Sequence, residues 1–147
     1  MTNESAWIIE NFTSERAAEP VGAFPHAKRV GRLLFCSGIG PRERGAKTIP
    51  GVTLDDDGAI VGYDIVEQCR SVFRNVRWLL EDAGSSWDRI VDVQVFLTSM
   101  KDDFATFNRL YAEAFRDNQP TRTTVEVNCL PTPIAIELKC IARSRTP

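Results

Sequence analysis

The residues able to do chemistry are few, and they are densest at 120–131, Pro-Thr-Arg-Thr-Thr-Val-Glu-Val-Asn-Cys-Leu-Pro. The composition between the two prolines is β-branched and alternating, which reads as a strand. Arg122, Thr124, Glu126 and Asn128 share one side of it. Thr123, Val125, Val127 and Cys129 share the other, which is apolar enough to join a core. Arg122 is then either a solvated edge cation or an anion clamp, because a guanidinium meets a carboxylate with two parallel hydrogen bonds. Two further cations, Arg42 and Arg44, straddle Glu43 in the Gly- and Pro-rich stretch 39–62. A solvated turn with a weak local ion pair is the plain reading of them. The stretch is long for a simple connection, however, and such loops often carry function.

Other chemistries are narrowed by what is scarce. His26 is the only histidine, which removes most zinc sites and the Ser-His-Asp triad. Asp55-Asp56-Asp57-Gly58 resembles the start of a calcium loop but lacks the alternating ligands and terminal glutamate. It reads as an acidic turn; cysteine-only or carboxylate metal sites stay open, although no ligand spacing is evident. Cys36, Cys69, Cys129 and Cys140 form no C-x-x-C pair and read as buried reduced thiols. If the protein is an enzyme, its proton transfers must run on carboxylates, hydroxyls, cysteine, lysine, His26 or water.

These groups need a scaffold of ordinary size. The chain has 147 residues, 43% hydrophobic and 26% charged, as in a soluble one-domain protein. A net charge of −2 with scattered cations offers no footprint for nucleic acid or anionic membrane. No apolar run approaches the ~20 residues that span a bilayer, and no signal-peptide core opens the chain, so a cytoplasmic protein is expected.

The clearest element is a helix over 64–83. Ile65, Val66, Cys69, Val72, Phe73, Val76, Leu79, Leu80 and Ala83 recur at helical spacing, with Asp64 as N-cap and Gly84 as terminator. Residues 24–30 and 33–38 form a hairpin about Gly31-Arg32, a pair suited to a type II′ turn. Residues 90–97 are a strand, 101–103 a turn, 104–116 a second helix and 134–142 the last strand. The apolar knot Trp7-Ile8-Ile9 reads as a short strand or an arm, and the expected division is an arm at 1–19 and a domain at 20–147. This order predicts an α+β fold, a mixed sheet with two helices on one face. The uncovered face would carry Arg122, Thr124 and Glu137, and is apolar enough to need burial by another subunit.

The ordered set Ser37-Gly38, Asp64-Ile-Val-Glu-Gln68 through Asn75, Val95-Phe-Leu97, Phe104-Ala-Thr-Phe-Asn108, Pro120-Thr-Arg122, Leu130-Pro131, Ile136-Glu137 and Ile141-Ala142 resembles the RidA/YjgF family of enamine/imine deaminases. The resemblance spans about residues 20–143. It implies a chorismate-mutase-like fold, a homotrimer with a site in each cleft between subunits, and no cofactor. It also implies that Arg122 binds the substrate carboxylate, that Glu137 activates the attacking water, and that Ser37 and Gly38 line the cleft with their backbone. Phe24 stands where many members have tyrosine, and Thr124 where many have cysteine; Asn108 matches a family asparagine. The run Gly38-Ile-Gly-Pro-Arg-Glu-Arg-Gly45 is similar to the 2-aminomuconate deaminase branch, which implies hydrolysis of a dicarboxylate enamine to 4-oxalocrotonate and ammonia. Arg42 or Arg44 would then meet the far carboxylate. General hydrolysis of 2-aminoacrylate-type enamines and a non-catalytic metabolite-binding trimer are the alternatives.

Overall fold

The computed structural model describes residues 8–145, so Trp7 of the expected N-terminal knot lies outside them. The strands are β1 (Ile9–Phe12), β2 (Ala27–Val30), β3 (Leu33–Cys36), β4 (Val52–Leu54), β5 (Ile60–Tyr63), β6 (Ile90–Leu97), β7 (Thr121–Glu126) and β8 (Ile136–Arg143). The helices are α1 (Ile65–Asp82) and α2 (Met100–Ala114). Six strands form one sheet in the order β1-β2-β3-β8-β6-β7, and β4 and β5 form a separate hairpin. Only β6 and β7 run parallel, with α2 as the crossover between them. This is the α+β arrangement expected, with both helices on one face of a mixed sheet.

The helices form where the apolar period and the caps agree. Asp64 Oδ1 accepts from Val66 N (2.9 Å) and Glu67 N (3.3 Å), closing the start of α1. Gly84, at φ +77°, follows its last turn. Val72, Val76, Leu79 and Leu80 pack against Val93, Val95, Leu138 and Cys140 of the central strands. Each such side chain contributes roughly 1.5–3 kcal/mol on burial. α2 begins earlier than its apolar stripe predicts. Ser99 caps it, accepting from Asp102 N at 3.3 Å, so 101–103 is helix and not a turn. Asp102 and Asp103 then sit in the first turn, where the helix dipole favours negative charge.

Two other expectations are corrected, and the N-terminal stretch takes the first of its two readings, a short strand. The stretch 39–62 contains the β4–β5 hairpin, whose turn is held by Asp55 Oδ1 accepting from Asp57 N and Ala59 N. Cys129 is exposed, although Cys36, Cys69 and Cys140 are buried; burial pushes the Cys36 and Cys69 thiols up to about 12. From Ile9 onward the N-terminal stretch belongs to the folded body, since β1 pairs with β2 at the sheet edge. Ser14 Oγ donates to Asp82 at 2.7 Å, and Arg16 bonds both Glu81 and Asp82. The β2–β3 turn is as expected: among its two residues only Gly31 has positive φ, the pattern of a type II′ turn.

Candidate active site

The register of the sheet decides which of the candidate residues can meet. Glu137 pairs with Phe96, and Phe96 pairs with Val125. Cross-strand partners share a face, so these three side chains lie on the face away from the helices. Arg122 pairs with Val93, which pairs with Cys140; Thr124 pairs with Val95, which pairs with Leu138. Those partners are buried in the core. Arg122 and Thr124 therefore lie on the helix side, opposite Glu137, and the expected common face is corrected. The alternation of 121–126 is as read, but its two sides are exchanged: aromatic rings of α2, not solvent, lie over the arginine side.

The helix-side group is compact. The Arg122 guanidinium lies 4.6 Å from the Tyr111 ring centroid and 5.4 Å from that of Phe107. Its Nη1 donates to Asn108 Oδ1 at 2.9 Å. Asn108 and Tyr111 are three apart on α2, so one helix face supplies both contacts. The Tyr111 hydroxyl and Thr124 Oγ1 are buried with no hydrogen-bond partner among the described residues. Burial pushes the Tyr111 phenol up to about 12, with Arg122 acting the other way. Arg122 thus lies at an outer strand against the rings of α2, and its one side-chain hydrogen bond among the described residues goes to Asn108. That is a carboxylate-binding geometry.

The second group lies in a small open cleft, a cavity of about 40 Å³ in the single chain, lined by Phe24, Ser37, Gly38, Arg42, Ile134 and Glu137 among others. Ser37 follows β3, and its hydroxyl donates to Pro25 O at 2.7 Å, tying the Phe24 segment to the sheet. A Cβ on Gly38 would stand 2.7 Å from Glu137 Oε2, so only glycine lets the carboxylate lie against this backbone. Burial raises the Glu137 carboxyl above its ordinary range, with the charge of Lys139 opposing. No described residue donates to Glu137, and it forms no ion pair among them. Lys139 instead gives its ammonium to Cys36 O at 2.9 Å. A raised, uncommitted carboxylate facing a cleft is suited to hold and deprotonate water.

The two loop cations separate. Arg42 lines the cleft and donates one hydrogen bond to Glu19 O. Arg44 lies outside the cleft lining and donates to Ala17 O (2.9 Å) and Ser14 O (2.7 Å). It clasps the N-terminal segment that forms the cleft's outer wall. The exposed Glu19 carboxylate stands in the field of both arginines. Sequence reasoning gave no role to the groups that hold the 40–42 loop and Ala135: Gln68, Ser71 and Asn75, buried polar residues on α1. Their signal was available, since polar types at core positions of an amphipathic helix call for internal partners. His26 has a structural role, accepting from Ser14 N at Nδ1 and donating from Nε2 to Ala18 O at 2.7 Å. No cluster of metal-ligating side chains occurs among the described residues.

Comparisons with known proteins agree with this architecture. The family model described as endoribonuclease L-PSP matches residues 14–144. A RutC family protein of Pyrococcus abyssi is 36% identical over 129 residues, covering 88% of this chain and 92% of the relative. The crystal structure of yeast Mmf1 superposes with a TM-score of 0.81 at 30% identity, over 94% of this chain and all (100%) of that one. E. coli TdcF, solved with bound serine, gives a TM-score of 0.78 at 28% identity over 91% of this chain and 98% of its own.

Proposed function

From the premise that this chain belongs to the endoribonuclease L-PSP family, the RidA/YjgF family, we propose that it hydrolyses a 2-enamine or 2-imine acid to the 2-oxo acid and ammonia. The observation that carries the reading is Glu137, a burial-raised carboxylate without a side-chain partner among the described residues, set against Gly38 in an open cleft. The enamine tautomerises to the imine, water adds to the imine carbon, and ammonia leaves as the carbonyl forms. Glu137 takes the proton from water and returns it to the departing nitrogen. Arg122 holds the carboxylate beside the reacting carbon.

In a single chain Arg122 and Glu137 face opposite sides of the sheet, so one chain offers two half-sites. A ring of copies resolves this: the Arg122 edge of one copy closes the Glu137 cleft of the next. The open sheet face supports such an assembly, with Leu33 42% exposed, Phe35 39% and Val125 40%. A homotrimer is the assembly proposed.

The substrate proposed is a dicarboxylate, 2-aminomuconate, giving 4-oxalocrotonate. Arg42 supports it, because this cation stands in the cleft with donors left over after its bond to Glu19 O. A far carboxylate buried without a partner would cost several kcal/mol. The rival reading is general hydrolysis of three-carbon enamines such as 2-aminoacrylate. The small amino acid bound in TdcF favours it. The ribonuclease in the family's description fits this cleft poorly, since Glu137 and Glu19 beside Arg42 would repel a phosphate backbone. No helix among the described residues is long and apolar enough to cross a membrane, and cytoplasmic residence is part of the proposal. The test is ammonia release from freshly generated 2-aminomuconate and from 2-aminoacrylate. A specialist favours the diacid by orders of magnitude in kcat/KM; equal rates establish the general enzyme, and no ammonia from either overturns catalysis.

A further inference from the structure

Three consecutive carbonyls of the cleft wall are captured by one face of α1. Asn75 Nδ2 donates to Gly40 O at 2.9 Å and to Arg42 O at 2.7 Å. Ser71 Oγ donates to Pro41 O between them, at 2.7 Å. Two residues before Glu137, Ala135 N donates to Gln68 Oε1 at 2.8 Å. Gln68, Ser71 and Asn75 are 0%, 1% and 1% exposed, and their spacing places them on one side of the helix. Buried amides and hydroxyls are costly unless used; Gln68 Nε2 finds no partner among the described residues, and a helix of this apolar period would pack more simply with aliphatic residues. What the polar groups achieve is geometric. One rigid element grips the strand that leads into Glu137 and the loop that bears Arg42.

We infer that Asn75 is a positioning residue for Arg42: by holding the Arg42 backbone to α1 it fixes how far this guanidinium stands from Glu137, and so the length of acid the cleft accepts. The inference rests on the reading of Arg42 as anchor for a distal carboxylate. With its carbonyl fixed at the helix, Arg42 spans the rim of the cleft to Glu19 O. Without Asn75, the Gly40 and Arg42 carbonyls lose their donor on α1; the loop keeps the Ser71 bond to Pro41 O, the Arg74–Glu43 pair at 3.8 Å and the bridges at Ile39 and Glu43, which hold its two ends and leave residue 42 between them less fixed. Arg42 then loses its register against Glu137, and Glu137, secured through Gln68, keeps its own.

The experiment is a double-mutant cycle on the full chain, measuring kcat/KM for 2-aminomuconate and for 2-aminoacrylate. The readout is the ratio of the two, which a general loss of folded protein leaves unchanged. Asn75→Ala is expected to lower that ratio by about 5- to 50-fold, mainly through KM of the diacid. In an Arg42→Ala background the same change is expected to lower it by less than about 2-fold, because residues acting through one another are non-additive. Ser71→Ala, which removes one bond of the three, is expected to shift the ratio in the same direction by less, and serves if Asn75→Ala fails to fold. An unchanged ratio in Asn75→Ala or Ser71→Ala overturns the inference. So does an Asn75→Ala effect that is undiminished beside Arg42→Ala. If Arg42→Ala alone leaves the ratio unchanged, the distal-anchor reading falls and takes the inference with it.

Discussion

The two half-sites are built on different principles. The Arg122 group is local: two residues of one helix turn, Asn108 and Tyr111, hold a side chain on the strand that follows. The Glu137 group is assembled from distant pieces, with walls at 18–24, 37–42 and 131–134. Rings and one amide orient the first. The second is held mostly by side chains that grip backbone carbonyls, Ser37, Arg44, Ser71 and Asn75 among them. A carboxylate clamp needs one well-aimed fork, and a short helix face can aim it. A cleft that holds water and a variable substrate needs several walls at fixed spacing, and only long-range contacts fix them.

Substitutions can break that contrast at either end. The largest effect is expected at Glu137. Glu137→Gln keeps the shape and loses the base, lowering kcat by about 10²–10⁴-fold; an unchanged kcat would leave Glu137 as a packing residue. Arg122→Ala is expected to cost roughly 2–5 kcal/mol of binding to the reacting carboxylate. That is about 30- to several-thousand-fold in kcat/KM, with little rescue by Arg122→Lys, since an ammonium lacks the fork. Mixing the two inactive variants under conditions of subunit exchange tests whether the halves come from different copies. A shared site restores about one quarter of wild-type activity, the fraction of interfaces that pair two intact halves in a randomly mixed ring. No recovery, with exchange verified by mass, would place both halves in one chain.

The two loop cations sharpen the contrast further. Arg44→Ala removes donors from two wall carbonyls and is expected to cost about 1–3 kcal/mol of stability, read by denaturant midpoint. Its effect on the two substrates should be equal, unlike that of Arg42→Ala. The smallest effect concerns pH. Burial raises the Glu137 carboxyl, so kcat/KM should fall on the acid side with a midpoint above the ordinary carboxylate range, and the limb should vanish in Glu137→Gln. Stability follows the same shift in sign. A raised folded-state value favours folding below the unfolded carboxyl's titration, and that contribution is lost as pH rises through the folded value. Glu137→Gln should therefore raise Tm at pH 7, with the gain shrinking toward pH 4.

The sequence shows these regions unequally. α1 and β6 were legible because each carries its own period over many residues, and Asp64 and Gly84 mark the helix ends. The β4–β5 hairpin was not, because strands of three and four residues leave no period to count; its Asp-rich turn with Gly58 was the available signal. Arg122 was placed among the right neighbours in sequence and on the wrong side of the sheet. Alternation tells which residues share a face but not which face the helices cover. Arg42 and Arg44 look alike in sequence. They differ because the carbonyls that occupy Arg44 come from residues 27 and 30 positions earlier, a relation no local pattern carries.

The grip of α1 on the carbonyls of Gly40, Pro41 and Arg42 also bears on how such a protein diversifies. Every amino acid presents a carbonyl, so a hold on carbonyls is indifferent to the side chain at the position held. Residue 42 can change its charge, length or shape while the loop stays moored. Mutational drift at the rim is thereby uncoupled from folding, and a lineage can sample new substrates without first losing the fold. Deep mutational scanning would show it as wide tolerance at 42 for stability beside narrow tolerance at 75.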